Sequence, residues 1–151
     1  MKSAAPFSYT EAFEQYGFII RPFKGHSMLP LLVEGRDDVR LVPPAGRLKK
    51  YDIALFLRPN GDYVLHRVIR VLDDSYYIRG DNCLKYETVQ DSQIIGVAEG
   101  VYINGTYHSC SEKKIANYAL RQKFTLPFRV AKSYIKYFFS RVYMKIFRRN
   151  K

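Results

Sequence analysis

The chain has 151 residues, 47% of them hydrophobic and 26% charged, which suits one globular domain and excludes an intrinsically disordered chain. Its two cysteines, Cys83 and Cys110, are too few for a disulfide framework and lack the paired spacing of a zinc site, so no metal or organic cofactor is expected. No apolar run is long enough for a membrane-spanning helix or a signal peptide, and we therefore expect a body made and folded in the cytoplasm.

The net charge of +11 is concentrated at the C-terminal end of the chain. Residues 113–151 contain 12 Lys or Arg and no Asp or Glu, whereas the first 112 residues carry 13 basic and 14 acidic residues. Such asymmetry predicts an anionic partner for the tail: a lipid surface, nucleic acid or an acidic protein.

A short helix is predicted first. Ser8 and Glu11 have the spacing of a capping box, with Phe7 before them as a hydrophobic staple. Gly17 can end this helix. An extended segment, residues 18–23, then leads into the sequence GHSMLP at residues 25–30.

The middle of the chain has the pattern of β structure. Asn60-Gly61 and Asn104-Gly105 lie between apolar, β-branched runs and predict hairpin turns. Strands are predicted at residues 39–42, 53–57, 63–72, 76–79, 94–103 and 106–108. The predicted class is mainly β, barrel-like or sandwich-like, divided into an N-terminal helical segment (1–17), a β domain (18–111) and a basic tail (112–151).

The tail is predicted to be helical over residues 113–123 and again after Pro127. Beyond Pro127 the apolar residues repeat at helical spacing, with Lys and Arg on the remaining faces. This stripe can pack on the β domain, lie in a membrane interface or bind nucleic acid. Basic residues alone are weak support for the third alternative, so no nucleic-acid partner is expected.

Three segments together resemble the signal peptidase family of serine peptidases. Residues 25–30 (GHSMLP) are similar to its Ser-Met-x-Pro box, residues 65–69 (LHRVI) to the His-Arg strand of its endoplasmic-reticulum and archaeal branch, and residues 78–82 (IRGDN) to its Gly-Asp-Asn box. Residues 51–56 resemble its Gly-Asp-Ile/Val strand, with Tyr51 where Gly is usual. The resemblance covers about residues 20–100 and implies the coiled, barrel-like fold shared by signal peptidases and repressor-type peptidases.

The resemblance implies that Ser27 is the nucleophile, His66 its general base and Asp81 the supporting carboxylate. A serine hydroxyl needs such a base to accept its proton during attack. Neutral imidazole is suited to this because its unperturbed pKa of ~6.5 is close to the working pH. A carboxylate on the other ring nitrogen fixes the tautomer. We expect an acyl-Ser27 ester that is hydrolysed by a water activated by His66.

Other site residues follow with less support. The backbone N–H of Ser27 is the expected oxyanion donor, and Gly25 stands where many family members place a second, side-chain donor. Met28 and Leu29 either line a substrate cleft or fill the core. Glu87 is a weaker candidate because the reticulum branch carries a second Asp at about that distance after the first.

The expected function is therefore cleavage of signal or leader peptides, with small side chains before the cut, by a serine endopeptidase. One alternative is a self-cleaving repressor-type peptidase, although that branch uses Lys as its base and carries a DNA-binding domain for which the N-terminal segment is too short. The other is a non-catalytic peptide-binding or membrane-surface module of the same fold. We expect a cytoplasmic protein whose tail, residues 113–151, provides a peripheral attachment to the anionic inner face of a membrane.

Overall fold

The structure is a computed structural model that describes residues 8–111 and eight helical positions in the tail, namely 115, 118, 125, 127, 128, 131, 132 and 135. Phe7 and most of the predicted tail lie outside the described residues. None of the helices within these described residues is long and apolar enough to cross a membrane.

The described chain is mainly β, as predicted. Its strands are β1 Ile19–Pro22, β2 Asp38–Val42, β3 Ile53–Leu57, β4 Tyr63–Val71, β5 Ser75–Arg79, β6 Glu87–Gln90, β7 Ile94–Ile103 and β8 Thr106–Ser109. They form one antiparallel sheet in the order β1-β2-β7-β3-β4-β5-β6, with β8 paired to β7. In this part of the chain the end strands β1 and β6 are not paired with each other, so the sheet does not close into a barrel.

Helix α1, Tyr9–Tyr16, has the predicted capping box. The backbone N–H of Ser8 donates to the carboxylate of Glu11, and the N–H of Glu11 donates to the hydroxyl of Ser8. Gly17 ends the helix at a φ of 74°, in the left-handed region that suits glycine. The helix buries Phe13 in the core.

Two apolar clusters lie on opposite faces of β3. Ile53 and Leu55 belong to the first cluster, while Ala54 and Phe56 belong to the second, as expected for the period-2 alternation of a strand. Because both faces of β3 are buried, its neighbour β4 is held firmly in register beside it. This rigid pair carries the histidine of the candidate site.

The first described positions of the tail pack against the β domain. Ile115 is only 2% exposed and belongs to the first cluster, and Tyr118 packs beside it. Farther along, Phe128 is 78% exposed and Ile135 is 58% exposed. Ile115 and Tyr118, which precede the predicted stripe, therefore pack on the β domain, whereas Ala131 and Ile135 of the stripe are exposed. Most of the stripe lies outside the described residues, so the choice between its alternatives stays a prediction.

Candidate active site

Ser27 lies in the long connection between β1 and β2, half-buried in a turn. The next residue, Met28, is 0% exposed and anchors the turn in the first apolar cluster. Its carbonyl accepts a hydrogen bond from the N–H of Leu32, at 3.1 Å. At the far end of the connection, the buried carboxylate of Asp37 accepts from the N–H of Val33. The serine is thus carried on a loop that is fixed from the core side.

A second attachment comes from Asn82, in the segment after β5. The backbone N–H of Asn82 donates to the carbonyl of Ser27 at 2.6 Å, and its side-chain amide donates to the carbonyl of His26 at 3.1 Å. The Gly-Asp-Asn segment therefore holds the serine loop directly. This role for Asn82 is absent from the sequence prediction, which assigned only the aspartate.

Gly80 lies where the serine loop and the histidine come together. A β-carbon at this position would be 2.6 Å from the carbonyl oxygen of Ser27, 2.9 Å from Nε2 of His66 and 2.9 Å from Sγ of Cys83. Real β-carbons essentially never show contacts this short. A glycine is therefore required for Ser27 and His66 to approach each other at this point.

His66 is buried in the middle of β4. It is paired in register with Ala54 of β3, whose small side chain leaves room for the imidazole. The ring centroid lies 6.0 Å from that of Phe56. Nε2 faces Gly80 and the serine loop, so the nitrogen on the serine side is the one that would accept a proton.

Glu87 is the carboxylate beside the other ring nitrogen. Its Oε1 lies 3.1 Å from Nδ1 of His66, although the two groups are not aligned as a hydrogen bond. Arg58 holds this carboxylate with two hydrogen bonds of 2.7 and 2.8 Å. Arg58, Glu87 and His66 form one electrostatic chain that leads from the surface to the imidazole.

The surroundings of His66 favour its neutral form. Burial lowers the pKa of His66, because it disfavours the imidazolium. The charge of Glu87 acts in the opposite direction, and the charge of Arg58 lowers the pKa further. The pKa of Glu87 is itself lowered, chiefly by its hydrogen bonds from Arg58. Near neutral pH the pair is therefore an ionised carboxylate beside a neutral imidazole, the protonation states that a general base requires.

Asp81 has a different environment from the one expected for it. Both of its oxygens accept hydrogen bonds from Arg67, at 2.8 and 2.7 Å, and both side chains are buried. Arg67 also donates to the carbonyl of Tyr51. Asp81 raises the pKa of His66 by a smaller electrostatic effect than Glu87 does. Of the two candidate carboxylates, Glu87 is the one that forms the close contact with Nδ1 of His66, and Asp81 is bound by Arg67.

Tyr51 has an unusual backbone conformation for a residue with a side chain. Its φ is 79°, in the left-handed region where a β-carbon is unfavourable. The conformation is fixed by its N–H, which donates to the carbonyl of Val68 at 2.8 Å. Its own carbonyl accepts a hydrogen bond from Arg67, which links this backbone position to the buried ion pair of Arg67 and Asp81.

A groove of about 680 Å³ opens in front of Ser27 and His66. Met28 and Leu29 are not among its lining residues, and the complete burial of Met28 favours the core-filling alternative over a substrate contact. The lining residues are Tyr9, Arg21, Pro22, Phe23, Lys24, Ser27, Val39, Leu41, Leu55, Arg58, Tyr63, Val64, Leu65, His66 and Cys83.

The structure thus places Ser27 and His66 in the lining of one groove, with Glu87 beside His66 and with Asp81 bound to Arg67, the next residue on β4. Comparison of the chain with protein-family models and with curated proteins finds no match. The resemblance to signal peptidases therefore rests on the sequence segments alone and stays a prediction.

Proposed function

We propose that this protein is a serine endopeptidase that cleaves extended peptides, with signal or leader peptides as the substrate class that the sequence resemblance implies. The observation that carries the proposal is the approach of the Ser27 loop and Nε2 of His66 over Gly80, inside a groove that is open to a peptide. Both side chains sit on supports that are fixed by core packing and hydrogen bonds, as preorganised catalytic groups require.

In the proposed reaction, the Ser27 hydroxyl attacks the peptide carbonyl carbon while its proton passes to Nε2 of His66. The backbone N–H of Ser27 donates to the oxyanion. The imidazolium then gives its proton to the departing amine, which leaves an ester on Ser27. Water attacks this ester by the same path, again losing its proton to Nε2, and the acid product and the free serine are released.

Glu87 serves this reaction as a positioning residue. A carboxylate beside Nδ1 favours the tautomer with its proton on Nδ1 and leaves the lone pair of Nε2 directed at the serine. It also stabilises the imidazolium as it forms. Asp81 contributes indirectly, because its ion pair with Arg67 fixes the segment after β5 against β4.

An active-serine probe, together with hydrolysis of fluorogenic peptides, tests the proposal. We expect Ser27→Ala to abolish labelling, and Ser27→Ala and His66→Ala each to reduce hydrolysis by about 10³-fold or more. Ser92→Ala and His26→Ala, at exposed positions outside the groove, are the matched controls and should remain active. Labelling that survives in Ser27→Ala, or wild-type hydrolysis in His66→Ala, would refute the assignment.

The tail carries a separate part of the proposed function, attachment to an anionic membrane surface. Phe128, Ala131 and Ile135 have the spacing of one helical face, and all three are exposed. The 12 basic residues of the tail complement acidic headgroups. An exposed apolar face with flanking Lys and Arg is typical of helices that lie in a membrane interface.

Sedimentation of the full chain with vesicles tests this attachment. We expect binding to vesicles that contain phosphatidylglycerol and little binding to vesicles of phosphatidylcholine alone. Phe128→Ser with Ile135→Ser should weaken binding while peptidase activity on a free peptide is retained. Equal binding to both lipids, or binding to nucleic acid in preference to the acidic vesicles, would contradict the attachment.

A further inference from the structure

The groove combines an aliphatic lining with a cationic mouth. Its apolar wall consists of Val39 and Leu41 from β2, Leu55 from β3, and Val64 and Leu65 from β4. Three cations also line it, Arg21, Lys24 and Arg58, and none of the described lining residues carries a carboxylate. A peptide bound in the groove would therefore contact aliphatic side chains and positive charges, and no negative charge from the described lining residues.

Arg21 is placed on the groove side of the sheet by strand pairing. It lies opposite Val39 in the β1–β2 register, and residues directly opposite each other in antiparallel strands share a face. Its guanidinium lies 5.7 Å from the ring centroid of Tyr9. That ring contacts Tyr63, with centroids 4.7 Å apart, so α1, β1 and β4 jointly border this part of the groove.

Of the three cations that line the groove, Arg21 and Lys24 lack an acidic partner among the described residues. Neither forms an ion pair with any of the described residues, whereas Arg58 is held by Glu87. Outside the groove, some exposed cations are paired, such as Arg36 with Asp37, and others, such as Arg70 and Lys85, have no ion pair within the described residues. What distinguishes the groove is that two unpaired cations lie together in a lining whose described residues include no carboxylate.

We infer that the groove selects peptides in which an Asp or Glu lies among aliphatic residues, with Arg21 and Lys24 facing the acidic side chain. The inference concerns the binding of peptides in the groove. Its consequence for cleavage rests on the proposed function. Exposed charge pairs each contribute a few-fold to affinity, and two of them predict a preference for Glu over Gln of about fivefold. Because the cations are exposed, the preference should shrink as salt is raised.

The test measures fluorescence anisotropy of labelled octapeptides of Ala, Val and Leu in which one position carries Glu, Gln or Lys. The Ser27→Ala chain is used so that binding is read without cleavage. We expect affinity to fall in the order Glu, Gln, Lys. In a chain that also carries Arg21→Glu and Lys24→Glu, the order should reverse. Arg70→Glu is the matched control, since it changes an exposed arginine outside the groove.

The inference would be overturned by equal affinity for the three peptides or by no binding of any of them. It would also be overturned if Arg70→Glu changed the order of affinities as much as the substitutions of Arg21 and Lys24 do. Hydrolysis of the same peptides by the unsubstituted chain separates it from the proposed function. Preferential binding of the Glu peptide without any hydrolysis would sustain the acidic preference and refute the peptidase. Hydrolysis with no dependence on the charge would sustain the peptidase and refute the preference.

Discussion

Replacing Gly80 with alanine tests the central contact of the site. The new β-carbon would be 2.6 Å from the carbonyl oxygen of Ser27 and 2.9 Å from Nε2 of His66, against an ordinary contact of 3.4 Å or more. The backbone oxygen cannot rotate away, and it is held by Asn82, so the serine loop must move by a large part of an ångström. Forced overpacking of this kind costs about 1–3 kcal/mol of stability.

The expected effect on catalysis is larger than the effect on folding. A displacement of about 1 Å between reacting groups can cost 10²-fold in rate. We therefore expect Gly80→Ala to lower kcat/KM for a fluorogenic peptide by about 10²-fold while the chain remains folded. Urea unfolding followed by circular dichroism supplies the stability, so that loss of activity can be separated from loss of structure.

Gly100→Ala is the matched control. Its added β-carbon would meet the ring of Tyr107, an exposed side chain that can move, on strands away from the groove. Activity should therefore be retained. A folded Gly80→Ala chain with kcat/KM within about twofold of the original would show that catalysis does not depend on the approach of Ser27 and His66, and the reasoning would fail.

Three further predictions concern the charges around the histidine. Glu87→Gln removes a charge that raises the pKa of His66, so the acidic limb of the kcat/KM profile should move to lower pH. Arg58→Gln removes a charge that lowers this pKa, so the limb should move to higher pH. Acidic limbs that stay in place, or that move in the same direction in both variants, would contradict the electrostatic chain. Because the pKa of His66 is lowered in the folded state, the free energy of unfolding should decrease as pH falls below the ordinary histidine value of 6.5, and urea titrations of His66→Gln should show a weaker dependence. Asp81→Asn should lower the free energy of unfolding by about 3–5 kcal/mol, because it leaves Arg67 buried without its charged partner. The double variant Asp81→Leu with Arg67→Met should be clearly more stable than Asp81→Asn in the same urea denaturation assay. An equal loss of stability in the two variants would contradict this account.

Much of the fold could be predicted because its signals are local. The capping box of α1 and the hairpin turns depend on residues within a few positions of one another. Strand β6, Glu87–Gln90, was not predicted because its four residues are mostly polar and exposed. It is held by pairing with β5, and such partners cannot be identified from a short polar stretch.

The site was predicted less completely than the fold, because the sequence does not show in which direction each side chain points. Ser27 and His66 belong to recognisable segments, but which carboxylate faces the imidazole depends on competition for partners. Asp81 is bound by Arg67, the residue next to His66 on β4, and Glu87 lies beside Nδ1 of His66 with Arg58 behind it. No spacing in the sequence indicates that Arg58, at the end of β3, belongs to the site.

The burial of Ile115 has a practical consequence for work on the isolated β domain. A deletion made at the apparent end of the β structure, after residue 111, would remove a side chain that is 2% exposed and packed in the first apolar cluster. Loss of such a side chain typically destabilises a protein by about 2–5 kcal/mol. A shortened chain that keeps residues through 118 would retain this part of the interior, so the choice of C-terminus would decide how stably the β domain folds.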